Sequence, residues 1–168
     1  MSEVPVDAST LINFLILDRV DLLGSLTEFD FRVPVEVAGE ILDETQRKHL
    51  DAGLASGSLG EIRLSSPAEL ATYARLRERL GRGESASLAL AHHRGLHVAC
   101  DDGEAMRVAD ELLGPGRVLN TPGLLLLSIT EGHLSVEEAD AAKALLERNR
   151  FTMAFGSFMQ LIVTPRKE

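Results

Sequence analysis

The chain reads as an α/β protein with a mostly parallel sheet, and three observations predict it. Short apolar runs alternate with longer runs of helical period, the pattern of strands joined by crossover helices. Carboxylates stand at the junctions where a short apolar or Gly-marked segment hands over to a helical run. One helical run, residues 84–94, carries small residues around its whole axis (Ala86, Ser87, Ala89, Ala91), which suits a closely packed central helix.

The elements follow in order. Residues 4–7 form a short strand, and Ser9 starts a helix that runs through Leu17. Residues 18–24 suggest a second, short helix ended by Gly24. Residues 29–34 alternate apolar with polar and read as a strand. A helix is expected from about 35 to 54, with Val37, Ala38, Ile41, Leu42 and Thr45 at helical spacing. On it Glu36, Glu40 and Asp43 share one acidic stripe. Residues 55–60 are Ser/Gly-rich and read as a loop, and 62–64 as another strand.

Ser66-Pro67 opens the next helix, with Pro67 suited to its first turn. Leu70, Tyr73, Leu76 and Leu80 make its apolar stripe. Arg75, Arg79 and Arg82 fall within about 60° of one another at 100° per residue, provided the helix continues that far. They read as a solvated face or as a contact surface for phosphates. Gly81-Arg82-Gly83 stops the helix. Residues 96–100 are a strand, 102–113 a helix, 117–119 a last short strand and 123–130 a helix. Ser135-Val136-Glu137-Glu138 matches a capping box that opens a helix over 135–149. Residues 151–163 are apolar enough to pack on the body or on another copy, and with them comes the expectation of a homodimer.

A chain of 168 residues is most simply one domain, here 1–168, with 135–168 as a C-terminal helical packing extension. A hydrophobic share of 45% fits an ordinary globular core. No run reaches the roughly 18 apolar residues of a membrane span, and the N-terminus lacks the basic and apolar regions of a leader. With a single Cys100, read as a small buried residue, this makes the cytoplasm the expected location. A net charge of −9 argues against broad nonspecific binding to nucleic acid through a basic face, though not against an enzyme that acts on it.

The carboxylates carry the chemistry. Asp7 follows a strand and precedes Ala8-Ser9, where helix capping alone accounts for it. Glu84 sits between Gly83 and the small-residue helix, where the positive end of the macrodipole favours it. Asp101-Asp102 ends one strand and begins a helix. In a parallel sheet such junctions lie along one edge. Two unit charges about 4 Å apart repel by roughly 4 kcal/mol at an effective dielectric near 20, so a cluster of this kind calls for a cation. Hard oxygen donors suit Mg²⁺ or Mn²⁺. His92 and His93 have no zinc-like spacing to a carboxylate and read as structural.

Taken in order, Asp7-Ala8-Ser9-Thr10, then Val35 to Glu40, then Gly83-Glu84-Ser85-Ala86, then Asp101-Asp102-Gly103-Glu104 resemble the PIN-domain nucleases. The likeness extends through Leu119-Asn120-Thr121-Pro122, Glu131-Gly132-His133-Leu134 and Asn149-Arg150-Phe151 to a prokaryotic branch near the VapC-type toxins. It implies a three-layer α/β/α sandwich with the acids gathered at one end of the strands. It also implies Asp7, Glu40, Glu84 and Asp102 as catalytic carboxylates, with Asp7, Glu84, Asp102 and Asp101 as the metal set. Asp101 falls on the family's spacer position. Ser9 matches the hydroxyl residue that orders the first acid. A further Asp is frequent after the last motif, and here Glu104 stands nearby in its place.

The resemblance implies a Mg²⁺- or Mn²⁺-dependent ribonuclease acting on single-stranded or structured RNA, the toxin of a toxin–antitoxin pair, whose small antitoxin lies across the acidic groove. The alternative is a non-catalytic PIN-like interaction module with an incomplete metal site. A phosphatase reading finds no Asp-x-Asp pair after the first strand and no Gly-rich phosphate loop.

Overall fold

The computed structural model describes residues 1–163. Among the described residues five short parallel strands carry the fold: β1 (Ser2–Pro5), β2 (Phe29–Pro34), β3 (Gly60–Ile62), β4 (Val98–Ala99) and β5 (Val118–Leu119). β1 pairs with β2 and β2 with β3, while β4 pairs with β5. A parallel bridge between Val6 and Ala99 joins the two groups, so the spatial order is β3-β2-β1-β4-β5. The chain therefore builds outward on one side of β1 and then crosses to build on the other. Between β1 and β4 lies a topological switch point, and ligand sites of open α/β sheets form outside the carboxyl ends of strands at such a point.

Helices α1 (Ala8–Ile16), α2 (Val20–Ser25), α3 (Val35–Ala38), α4 (Glu44–Ser56), α5 (Pro67–Leu76), α6 (Arg82–Arg94), α7 (Gly103–Leu113), α8 (Thr121–Thr130), α9 (Val136–Arg148) and α10 (Met159–Val163) fill the connections. The fold is the expected α/β arrangement, helices packed on a parallel sheet. The expected central helix is α6: Gly83 and every residue from Ser85 to Ala91 are buried. It touches α3, α5, α7, β1, β2 and β4. Only small side chains let one helix approach so many neighbours.

A main core gathers Val4, Val6, Leu11, Phe14, Phe31, Val33 and Val37 with Leu124, Leu134, Ala139, Leu146, Met153 and Phe158. A second, smaller core under α6 and α7 holds Leu80, Leu88, Val98, Cys100, Val108 and Ala109. Segment 135–163 contributes to the main core through Ala139, Leu146, Met153 and Phe158, and α10 leaves Met159, Leu161 and Ile162 exposed. The last five residues of the 135–168 extension lie outside the described residues. Among the described residues no helix is long and apolar enough to cross a membrane.

Two sequence expectations fail, each for a local reason. The helix expected over 35–54 is two helices. α3 stops at Gly39, and Asp43 caps α4 by accepting the Gln46 amide at 2.9 Å. Arg47 donates to the Ala38 carbonyl at 2.8 Å and so satisfies an acceptor that the broken helix leaves open. Glu36, Glu40 and Asp43 therefore share no stripe, and Leu42, placed by period in the core, is 88% exposed. The helix carrying the arginine stripe likewise ends at Leu76, with Arg77 as its C-cap. Its buried face holds Glu69 and Thr72, whereas Leu70 is exposed.

Candidate active site

Asp7 stands one residue past the Val6 bridge, and its amide donates to the Ala99 carbonyl at 2.8 Å. This bond fixes the start of α1 against the end of β4. Asp7 is the N-cap of α1, as its residue type favours. Its Oδ2 accepts from the Ser9 hydroxyl at 2.7 Å and the Ser9 amide at 3.3 Å. The Ser9 Oγ in turn accepts the Asp101 amide at 3.0 Å. Oδ1 is different: it is buried and has no hydrogen-bond partner. The whole residue is 2% exposed. Burial raises its pKa above the usual carboxylate range, the Ser9 and Ala8 donors pull it back, and the charge of Glu40 adds to the rise.

Glu84 lies in the first turn of α6, where its Oε2 accepts the Gly81 amide at 3.0 Å. Burial raises its pKa, the Gly81 amide opposes, and the charges of Asp7, Asp102 and Glu40 each raise it further. Asp7, Glu40 and Asp102 are thus electrostatic neighbours of Glu84. Glu40 follows α3, and its Oε1 accepts the Gly83 amide at 2.9 Å. The contact explains the Gly before Glu84. A Cβ at Gly83 would stand 2.9 Å from Glu40 Oε2 and 2.9 Å from Val37 Cγ2, so only glycine lets α6 start this close to Glu40. Asp102 caps α7, accepting the Ala105 amide through Oδ1 at 2.9 Å.

Asp101 has other work. Its Oδ2 accepts from the hydroxyls of Thr10 at 2.7 Å and Thr121 at 2.5 Å, and its Oδ1 accepts the Thr121 amide at 2.9 Å. Asn13 donates to Thr121 Oγ1 at 3.1 Å. The carboxylate thus ties the end of β4 to α1 and α8, a structural role in place of the metal-ligand role that the resemblance implied. Glu104 pairs with Arg79 at 3.2 Å. Cys100 is a free, buried thiol whose pKa burial pushes well up.

The arginines separate as well. Arg75 donates to Thr72 Oγ1 at 3.1 Å and shares a shallow pocket with Arg79, Thr72, Leu76 and Leu112. Arg82, at the start of α6, instead borders a cleft with Val35, Glu36, Gly39, Glu40, Tyr73 and Arg77. Sequence reasoning missed Arg77 there, because it assumed an unbroken helix.

Among the described residues, Asp7, Glu40, Glu84 and Asp102 form no ion pair, while Asp21, Asp30, Glu69 and Glu147 do. Among the described residues no three His, Cys, Asp or Glu side chains form a group able to hold a metal ion as they lie. Glu40, Glu84 and Asp102 each have one oxygen turned to a backbone amide. The donor chemistry nevertheless fits a hard cation. Every donor is a carboxylate oxygen, and one is buried with nothing to satisfy it. Mg²⁺ keeps several waters and binds through only one or two carboxylates, so it does not require a dense protein cage.

A comparison with curated proteins finds no match. A family model described as the PIN domain, a nuclease-type fold, matches residues 4–155, most of the chain and all four acidic motifs. The chain belongs to the PIN-domain family.

Proposed function

We propose that the protein is a Mg²⁺- or Mn²⁺-dependent endoribonuclease that hydrolyses phosphodiester bonds of single-stranded or structured RNA. The observation that carries the reading is the buried, donorless Oδ1 of Asp7, a carboxylate with no ion pair among the described residues and with Glu40 and Glu84 as electrostatic neighbours. A fold does not leave such an oxygen unsatisfied for stability, because an unpaired buried polar group costs about 1–3 kcal/mol. Asp7, Glu84 and Asp102 would hold the cation, with Glu40 at a second position. When bound, such an ion supplies an activated water and stabilises charge on the leaving oxygen.

The chain's own residues prepare that site. Ser9 occupies Asp7 Oδ2 and fixes the carboxylate's rotation, and the Asp101 amide holds Ser9. The Asp101 carboxylate locks the β4 end to α1 and α8, which keeps Asp102 and Asp7 in register. The start of α6 delivers Glu84 and, through the Gly83 amide, orients Glu40. No Ser, Cys or His nucleophile is required.

The test is Mn²⁺-dependent cleavage of single-stranded RNA by wild type and Asp7→Asn. Loss of cleavage in the variant supports the reading. Equal activity in both assigns the cleavage to another site or a contaminant. Inactivity of the wild type with Mg²⁺ and with Mn²⁺ favours the second reading, a non-catalytic PIN-like module.

By likeness to the VapC-type branch we further propose a toxin role in the cytoplasm, with a small antitoxin across the acidic groove. A short reading frame directly upstream supports it. The exposed Met159, Leu161 and Ile162 of α10 support self-association as a homodimer. Light scattering that gives a monomer mass at micromolar concentration removes that proposal.

A further inference from the structure

The end of α5 and the start of α6 border a cleft of about 490 Å³ whose lining includes Glu36, Glu40, Tyr73, Arg77 and Arg82. Glu40 is also an electrostatic neighbour of Glu84, so the cleft adjoins the candidate active site. Tyr73 and Arg77 share one helical turn. The Arg77 amide donates to the Tyr73 carbonyl at 3.0 Å, and side chains four apart on a helix lie on one face. Arg82 reaches the same cleft from the first turn of α6.

The charges of this cleft are unusual for the chain. With 26 acidic residues against 17 Lys and Arg, carboxylates are in excess. Arg19, Arg32, Arg79 and Arg94 are each paired with one. Arg77 and Arg82 make no ion pair among the described residues, although Glu36 and Glu40 line the same cleft. Arg77 donates one N–H to the Leu80 carbonyl at 2.8 Å, which steadies it. The Arg82 side chain makes no hydrogen bond among the described residues and is exposed. Of the carboxylates, Glu36 keeps its Oε2 shielded from solvent, and Glu40 Oε1 accepts the Gly83 amide at 2.9 Å. Tyr73 is the chain's single tyrosine, and there is no tryptophan. It is half-buried, and its hydroxyl has no partner among the described residues.

We infer that the cleft holds one unpaired nucleotide of a single-stranded RNA, its phosphate on Arg77 and Arg82 and its base on the Tyr73 ring. The inference rests on the ribonuclease reading above and narrows its substrate to single strands. Guanidinium groups bind phosphate in a planar fork. An aromatic ring gives any base a stacking face, but only a base that is out of a helix can be splayed onto it. The cleft lies within the roughly 300–1,000 Å³ of small-ligand sites. Nothing in its lining distinguishes one base from another, so it reads whether the strand is open and not which sequence it carries.

The test is fluorescence anisotropy on the full chain in EDTA, where binding is read without cleavage, over a series of salt concentrations. The probe is a labelled oligouridylate, free or annealed to oligoadenylate. The free strand should bind roughly tenfold tighter than the duplex, the scale of one stacked base. Arg82→Ala should make the slope of log affinity against log salt shallower by about 0.7, the share of one phosphate on a single strand. Arg148→Ala, which removes an exposed and unpaired arginine of α9, should leave the slope unchanged. Tyr73→Leu should weaken binding roughly tenfold at constant slope, while Tyr73→Phe, which keeps the ring, should bind as wild type does. Equal affinity for the free and annealed probe overturns the subsite, as does no binding of either. So does an unchanged slope in Arg82→Ala, full affinity in Tyr73→Leu, or a loss in Tyr73→Phe as large as that in Tyr73→Leu. Arg82 holds nothing in the fold, so its arm decides the matter even where Tyr73→Leu does not fold. The ribonuclease reading stands or falls separately, on the Mn²⁺-dependent cleavage of wild type against Asp7→Asn.

Discussion

Asp7 and Glu69 are buried carboxylates of nearly equal depth, 2% and 4% exposed, and the fold treats them in opposite ways. Glu69 lies in the first turn of α5. Arg94 grips it with two guanidinium donors, at 2.7 Å to Oε1 and 3.2 Å to Oε2. The amides of Ser65 and Ser66 complete Oε2 at 2.7 and 3.2 Å. The Arg94 bond, aided by those amides, holds its pKa down at about 2. Asp7 has Ser9 for one oxygen and nothing for the other, with further carboxylates as electrostatic neighbours. The same chain that builds a complete shell around one buried acid leaves the other open. The difference is what separates an acid kept for structure from an acid kept for a ligand.

The sharpest way to break this comparison is to neutralise each acid in turn. Asp7→Asn should lower RNA cleavage by at least about a hundredfold, the scale of losing one group that acts on the developing charge, and should leave the melting temperature unchanged or higher. Glu69→Gln should do the reverse. Removing one partner of a buried pair leaves the other charge uncompensated, and Arg94, 29% exposed at its side chain, recovers part of that through water. A loss of about 2 kcal/mol is expected in urea unfolding, with cleavage per folded molecule unchanged. A destabilised Asp7→Asn, or an inactive but folded Glu69→Gln, removes the distinction.

The acidic end was the more legible of the two regions. Asp7, Glu84 and Asp102 stand at strand or glycine junctions, and the topology of a parallel sheet brings such junctions to one edge. The residues 29–34 of β2 and the Ser135 capping box of α9 follow from local pattern in the same way. The Glu69–Arg94 pair was invisible, because its partners are 25 positions apart and period analysis put Leu70 on the inner face instead. The break at Gly39 was missed for a related reason. Val37, Ala38, Ile41 and Leu42 keep helical spacing, and only the Asp43 cap and the Arg47 bond to Ala38 show that the chain restarts there. Local signals identify junctions, while tertiary partners decide which side of a helix is buried.

Gly83→Ala probes the junction itself. The new methyl meets Glu40 Oε2 and Val37 Cγ2, each at 2.9 Å, and Val37 is fully buried. Overpacking of this kind costs typically about 1–3 kcal/mol. Because Glu40 must yield, cleavage should fall by roughly tenfold, the low end for disturbing a group that orients a metal ligand. Ser9→Ala should also lower cleavage roughly tenfold, since Asp7 Oδ2 loses its 2.7 Å hydroxyl donor. Its effect on stability should be under about 1 kcal/mol. Full activity in Ser9→Ala would show that Asp7 does not need that hydroxyl for its orientation.

The smallest effect is in the pH dependence, and its sign follows from the two environments. Asp7 and Glu84 have folded pKa values above their ordinary 3.8 and 4.5. Their stabilising contribution is complete below those ordinary values and is lost as pH rises through the raised ones. Glu69, lowered to about 2, contributes fully above 4.5 and loses its contribution only as pH falls through about 2, so it is constant from pH 5 to 7. His97 runs the other way in that window. Burial and the Arg117 charge lower its pKa, so its contribution is present above 6.5 and fades as pH falls. The informative quantity is therefore the stability of wild type minus that of Asp7→Asn, in which His97 cancels. Without metal, this difference should become less favourable to wild type as pH rises from 3.8 through the raised Asp7 value. Millimolar Mg²⁺ should reverse the trend, because a cation binds the ionised carboxylates of the folded state and stabilises it by mass action. A difference that is flat with pH and indifferent to Mg²⁺ would make Asp7 as structural as Glu69.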